Sequence, residues 1–262
     1  MARRAELTVE DGLARLRLVR PEAGNAIDPE MVDALRSASE DCTAAAPELR
    51  ALLISAEGRA FSFGGDLHYF AARPERLAEE LDAMIGSYHV ALGLLGELPV
   101  PIVCAAQGGA AGGGLGLLWV ADVVIAADDL KVAAGFPRLG LSGDGGSSWW
   151  LPRLVGMRRA RELLIGGRVL SAEEALEWGL VSRVVPRDRL EAEALAVAHE
   201  LAAGPTVAYG ELRALLAGSF SVDLAEGLRA EWEAMVRTGD TADAPEGIAA
   251  FVEKRTPRFE GR

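Results

Sequence analysis

Cysteine is scarce in this 262-residue chain: Cys42 and Cys104 are the only two. Two thiols supply neither a disulfide framework nor a cysteine-based metal cluster, and they suit a reducing, cytoplasmic setting. Positive charge is also short. Lysine and arginine together number 27 against 39 acidic residues, a net charge of −12. That balance excludes nucleic acid and anionic membranes as general partners, while leaving room for one local basic pocket that meets a phosphorylated ligand. The stretch Met1-Ala2-Arg3-Arg4-Ala5-Glu6 lacks the apolar run of a secretory leader. The charge-free stretch 98–121 holds six glycines and two prolines. An isolated membrane helix rarely carries so many, so the stretch reads as a buried strand, a loop and a buried helix. No linker, repeat or low-complexity segment interrupts the chain.

What the chain does have is apolar residues, half of its length, enough for a sizeable core. Residues 5–9 and 13–18 alternate apolar and polar positions around Asp11-Gly12, the pattern of a β-hairpin. Asp28 before Pro29 predicts a helix N-cap and first turn, and Met31, Val32, Leu35 and Ala38 continue as a helical stripe. Residues 50–55 read as a buried strand. Residues 74–98 predict one long helix with Leu77, Leu81, Ile85, Tyr88, Leu92 and Leu95 on one face. A strand over 100–106, a helix ending at 121 and a strand over 122–126 follow. Ser171 with Glu174 forms a capping-box pattern, and Gly179 closes the short helix after it. From 190 onward the periodicity is helical throughout: 190–203, 206–216, 224–237 and 245–254. Strands alternating with helices, then helices alone, predict an α/β core with a helical C-terminal part.

Two glycine-rich bends stand out, Phe61-Ser62-Phe63-Gly64-Gly65-Asp66-Leu67 and Ala110-Ala111-Gly112-Gly113-Gly114-Leu115-Gly116. Each lies beside a predicted helix start. Glycine lets a ligand approach the main chain closely, and a helix start offers unpaired N–H groups with partial positive charge. Two such bends facing each other can hold an anionic oxygen between backbone donors. The chain is therefore expected to stabilise negative charge developing on a carbonyl oxygen.

Several segments, in order, resemble the crotonase family, the enoyl-CoA hydratase/isomerase superfamily. They are Arg20-Pro21 with Asn25-Ala26, the first bend, 101–116, 136–156, Ser171-Ala172-Glu173-Glu174-Ala175 with Trp178-Gly179-Leu180-Val181, and 251–259. The resemblance implies a spiral of ββα units over 1–200 carrying an acyl-CoA site. It also implies a helical oligomerisation region over 201–262, building a homotrimer or a hexamer. No tightly bound cofactor is implied; coenzyme A enters as part of the thioester substrate. By position, the two N–H groups that bind the thioester oxygen belong to Gly65 and Gly113.

Hydratases of that family carry two glutamates, and their positions here hold Gly116 and Phe136, neither of which transfers a proton. Hydration needs a base for water and an acid for the α-carbon. What the chain supplies is Asp144, in Gly143-Asp144-Gly145-Gly146. An aspartate there resembles family members that shift double bonds, and one carboxylate suffices to take a proton at one carbon and return it at another. Among Phe136, Leu141 and Trp149, its pKa is expected to rise by desolvation. The same residue also suits a turn or the N-cap of a helix at 147–151.

His89, at the edge of the apolar stripe, has a spacing to Gly113 and Asp144 similar to that in 4-chlorobenzoyl-CoA dehalogenases. There an aspartate attacks the ring and a histidine activates water. Phe136, however, offers no N–H for chloride. The preferred reading is an enoyl-CoA isomerase with Asp144 as acid and base, in which His89→Ala leaves most activity intact. The alternatives are a dehalogenase-like hydrolase using Asp144 and His89, an atypical hydratase, and a non-catalytic acyl-CoA binder. CoA contacts are expected from Ala26, Phe63, Gly65, Asp66, Leu67, Gly113 and Phe136, with Arg20 at the rim and Lys254 reaching a neighbouring subunit's ligand. Trp149 and Trp150 are expected to wall the acyl pocket, and His68 and His199 to lie at the surface.

Overall fold

The computed structural model describes residues 3–262; Met1 and Ala2, the start of the stretch read for a leader, lie outside the described residues. Strands β1 (Ala5–Glu10) and β2 (Leu13–Leu18) form the expected antiparallel hairpin. Asp11 and Gly12 both take positive φ, 49° and 79°, the tight turn that matches strand twist. Helix α1 (Pro29–Ala45) begins at Asp28, whose Oδ1 accepts from the Met31 N–H at 2.8 Å. Then come β3 (Ala51–Ala56), the short α2 (Leu67–Ala71), α3 (Leu77–Glu97), β4 (Ile102–Ala106), β5 (Gly109–Ala111), α4 (Gly116–Trp119), β6 (Val123–Ala127) and β7 (Lys131–Ala133). The chain continues through α5 (Ser147–Leu164), β8 (Val169–Ser171), α6 (Ala172–Trp178), β9 (Arg183–Val185), α7 (Leu190–Ala202), α8 (Thr206–Gly218), α9 (Leu224–Gly239) and α10 (Asp243–Glu253).

The main sheet has the order β1-β2-β3-β4-β6-β9, parallel from β2 onward. A parallel sheet needs cover on both faces. The two-residue alternation along the strands divides the apolar residues accordingly. Leu52, Ile54, Ile102 and Cys104 join Met31, Leu35 and Leu95 from α1 and α3 on one face. Leu53, Val103, Ala105 and Ile125 meet Leu190, Ala194 and Ala198 of α7 on the other. A small second sheet, β5-β7-β8, carries the second glycine bend away from the main sheet.

Several boundaries differ from the sequence reading, two of them beside the glycine bends. The segment at 74–98 is not one helix: Pro74–Arg76 is a 3₁₀ turn, and α3 starts at Leu77. The helix after the second bend stops at Trp119, preceded by a 3₁₀ turn over Gly112–Leu115. Helix α5 bends at Gly156, whose φ/ψ of 76°/159° is outside the helical region. No helix among the described residues is long and apolar enough to cross a membrane. Helices α8–α10 leave a broad apolar face open: Leu224 is 78% exposed, Trp232 69%, Met235 74% and Phe251 86%.

Candidate active site

The first glycine bend is stitched to three neighbours before any side chain enters the site. The Ile27 N–H donates to the Gly64 carbonyl at 2.8 Å, and the Asp66 N–H returns to the Ile27 carbonyl at 2.9 Å. On its other side the Ala111 N–H donates to the Ser62 carbonyl at 2.8 Å, so the bend lies against β5. The buried Ser62 hydroxyl donates to the Asn25 carbonyl at 2.8 Å and accepts from the Gly64 N–H at 3.2 Å. At Gly64 the two bends touch. Its φ is +77°, and a Cβ there would lie 2.7 Å from the Ala111 carbonyl and 2.9 Å from the Gly113 nitrogen. Both the backbone conformation and the close approach require glycine.

Neighbouring segments take up the Ser62, Phe63, Asp66 and Ala111 amides, whereas the Gly65 and Gly113 N–H groups find no acceptor among the described residues. Both residues line the same cavity, of about 360 Å³. Helix α3 supplies Leu81, Met84, Ile85 and Tyr88 to its walls, α2 supplies Phe70, and the segment 134–144 supplies Phe136, Leu139, Leu141 and Asp144. The lining is mostly apolar, and Asp144 is the one carboxylate among the described residues that contribute to it.

Asp144 sits beside the second bend. A Cβ built on Gly113 would lie 3.0 Å and 3.2 Å from its two carboxylate oxygens. Oδ1 is buried and makes no hydrogen bond. Burial raises the pKa of this carboxyl above its ordinary value of 3.8, opposed by the nearby His89 ring and by a backbone hydrogen bond. In the unfolded chain the ordinary value returns. The folded protein therefore holds this proton to higher pH than the unfolded chain does. Stability from Asp144 is fully present below pH 3.8 and is lost as pH rises through the raised folded value. Asp144→Asn is expected to raise the melting temperature at pH 7, on the order of 2–4 °C for each kcal/mol recovered, and the gain should vanish near pH 3.8. Calorimetry across that range checks it.

The side chain is not a helix cap: the N-cap of α5 is Gly146, with no side-chain cap bond. Position 116 is closed. A Cβ at Gly116 would meet Leu92 Cδ1 at 2.7 Å, the Gly145 carbonyl at 2.9 Å and the Tyr88 hydroxyl at 3.0 Å. A second carboxylate is therefore absent, and the space for one is filled.

His89 is exposed and does not line the cavity, but its Nε2 accepts from the Gly145 N–H at 3.1 Å. That lone pair is already engaged. Of the other residues singled out in the sequence, Phe63, Leu67 and Phe136 reach the cavity, whereas Ala26 and Asp66 support it from behind. Asp66 caps α2, accepting from the His68 and Tyr69 amides at 3.0 Å and 3.1 Å. Burial disfavours its charge, yet those amides and Arg20 prevail and hold its pKa low.

Arg20 departs from expectation. Its guanidinium donates to the Ala26 carbonyl at 2.9 Å and pairs with Asp28 at 3.2 Å and Asp66 at 2.8 Å. It ties the hairpin to the first bend and is spent inside the molecule. Trp149 and Trp150 do not wall the cavity: Trp149 is 38% exposed, with the Arg153 guanidinium 3.9 Å from its ring centroid. Trp150 is half-buried and packs against the core beside Gly146. Lys254 is exposed at the left-handed end of α10 and does not line the cavity. His68 and His199 are at the surface, as expected. Arg138, which also lines the cavity, was not singled out in the sequence; a single arginine in the short Phe136–Leu139 turn gives no pattern to find it by.

Two unpaired backbone donors beside one desolvated carboxylate form an arrangement chemically able to hold a carbonyl oxygen and transfer a proton. A family model described as enoyl-CoA hydratase/isomerase matches residues 8–262, and the chain belongs to that family. It is 37% identical over 254 residues to a Rhodobacter capsulatus protein named "probable enoyl-CoA hydratase", covering 97% of this chain and 96% of that one. It is 36% identical over 259 residues to the 1,2-epoxyphenylacetyl-CoA isomerase of Escherichia coli, covering 97% of each. The crystal structure of an enoyl-CoA hydratase from Polaromonas superposes with a TM-score of 0.91 at 33% identity, covering 98% of this chain and 99% of that one.

Proposed function

We propose that the chain is an enoyl-CoA isomerase in which Asp144 is the single acid and base. The thioester oxygen of the acyl-CoA lies between the Gly65 and Gly113 N–H groups. The Asp144 carboxylate takes a proton from C2 of a 3-enoyl thioester, and the electron pair passes to the thioester oxygen as a dienolate. As the carbonyl re-forms, the double bond settles between C2 and C3 and the carboxyl returns its proton to C4. Nothing is added or lost. Two fixed donors in an apolar cavity favour the dienolate far more than water does.

The observation that carries this reading is the closed position 116. Tyr88, Leu92 and the Gly145 carbonyl occupy the place where a second proton-transfer group would stand. A reaction that adds water needs that second group, whereas a proton shift does not. The engaged Nε2 of His89 speaks against hydrolysis through that residue. Incubation with a panel of 2-enoyl- and 3-enoyl-CoAs tests the reading by mass spectrometry. Isomers of unchanged mass are expected; products heavier by one water would refute it. Turnover should also fall as pH drops through the raised Asp144 value, because only the carboxylate accepts a proton.

Residues 201–262 are the proposed oligomerisation region. An apolar face of this extent on one protomer favours a homotrimer or a pair of trimers. Sedimentation at micromolar concentration should give a trimer or hexamer, and a monomer there would rule the assembly out. Lys254, exposed at the end of α10, is the proposed contact to a ligand across such an interface.

A further inference from the structure

Tyr88 stands in the cavity wall, but its hydroxyl does not face the ligand. It is buried, and it donates to the Gly113 carbonyl at 2.8 Å. The Gly116 N–H donates to the same carbonyl. Both lone pairs of that oxygen are thus held, and the 113–114 peptide is fixed from two sides. The hydroxyl fits there because position 116 has no side chain: a Cβ would come within 3.0 Å of it. On the far side a Cβ at Gly145 would lie 3.0 Å from the same carbonyl, so the Asp144 loop packs against it too.

We propose that Tyr88 is a positioning residue for the anion-binding pair: by holding the 113–114 peptide it limits rotation at the Gly113 Cα and so steadies the adjoining 112–113 peptide, whose N–H is the Gly113 donor. The proposal rests on Gly113 being one of the two donors. Burial, and secondarily the Asp144 charge, keep the phenol protonated far above its ordinary range, so it remains a donor at every working pH. A donor set that must be preorganised loses rate when its backbone can rock, even though no contact to substrate is removed.

The test uses Tyr88→Phe in the full-length chain and 4-(dimethylamino)cinnamoyl-CoA, whose absorption moves to the red when its carbonyl is polarised. Wild type is expected to give a clear red shift. Tyr88→Phe should give a smaller one, with kcat lower by about tenfold, KM within about twofold and the pH profile unchanged. Tyr88→Met, which also removes the hydroxyl and fills the site with a flexible apolar side chain, should reproduce the reduced shift and covers the case in which Tyr88→Phe folds poorly. A variant with the wild-type shift and wild-type kcat overturns the proposal. So does a large loss of kcat with an unchanged shift, which would place Tyr88 in the proton transfer itself. Absence of any shift in wild type would instead strike the anion-binding reading, and the proposal with it.

Discussion

Asp144→Asn is expected to slow the isomerisation of a 3-enoyl-CoA by about 10³-fold while leaving acyl-CoA binding within a few-fold of wild type. The amide keeps the shape of the carboxylate but has no basic oxygen to receive a proton. The cavity lining supplies no other carboxylate among the described residues, so no neighbour can take over. The loss should appear equally in double-bond migration and in exchange of the α-proton with D₂O, since both pass through the same deprotonation. Product analysis by NMR and isothermal titration with a saturated acyl-CoA measure the two quantities. An Asn variant that isomerises at the wild-type rate would remove Asp144 from the chemistry.

Gly113→Val should reduce turnover by at least about 10³-fold. Even the first carbon of a side chain at this position would lie 3.0 Å and 3.2 Å from the Asp144 oxygens. Branching at Cβ adds two methyl groups where one carbon already crowds. Either the carboxylate moves from the α-carbon of the substrate or the bend moves from the thioester oxygen. Circular dichroism verifies the fold, and steady-state kinetics read the effect. Unimpaired turnover in a folded Gly113→Val protein would mean that the thioester binds elsewhere.

The elements with local chemistry were legible in the sequence. The Asp28 cap, the Asp11-Gly12 turn and the Ser171–Glu174 capping box each involve residues three or fewer apart, and each is present with its bonds. The strands at 51–56 and 102–106 announced themselves by the apolar runs 51–54 and 102–106. The short strands β5, β7, β8 and β9 did not, because three residues are too few to carry a period and pairing decides them. In the site, both glycine bends and Asp144 were visible as motifs, and burial does raise the Asp144 pKa as composition around it suggested.

What was hidden depends on contacts distant in sequence. Arg20 reads as a free cation until Asp28 and Asp66 fold against it. Tyr88 reads as one more residue of an apolar stripe until its hydroxyl meets a carbonyl 25 positions away. Trp149 and Trp150 read as pocket walls because of their size, but Trp149 lies against Arg153 at the surface and Trp150 packs half-buried against the core. The missing glutamate at 116 was plain in the sequence, yet that its space is filled by Leu92 and Tyr88 was not.

The central claim is a thioester dienolate served by one carboxylate. NMR of wild type with a 3-enoyl-CoA in D₂O tests it most directly. A single base that lifts the C2 proton and sets it down at C4 returns part of the original protium before solvent exchanges it. A 2-enoyl-CoA product, partial protium at C4 and no 3-hydroxyacyl-CoA are expected. Accumulation of 3-hydroxyacyl-CoA, with deuterium delivered completely from solvent, would contradict the claim.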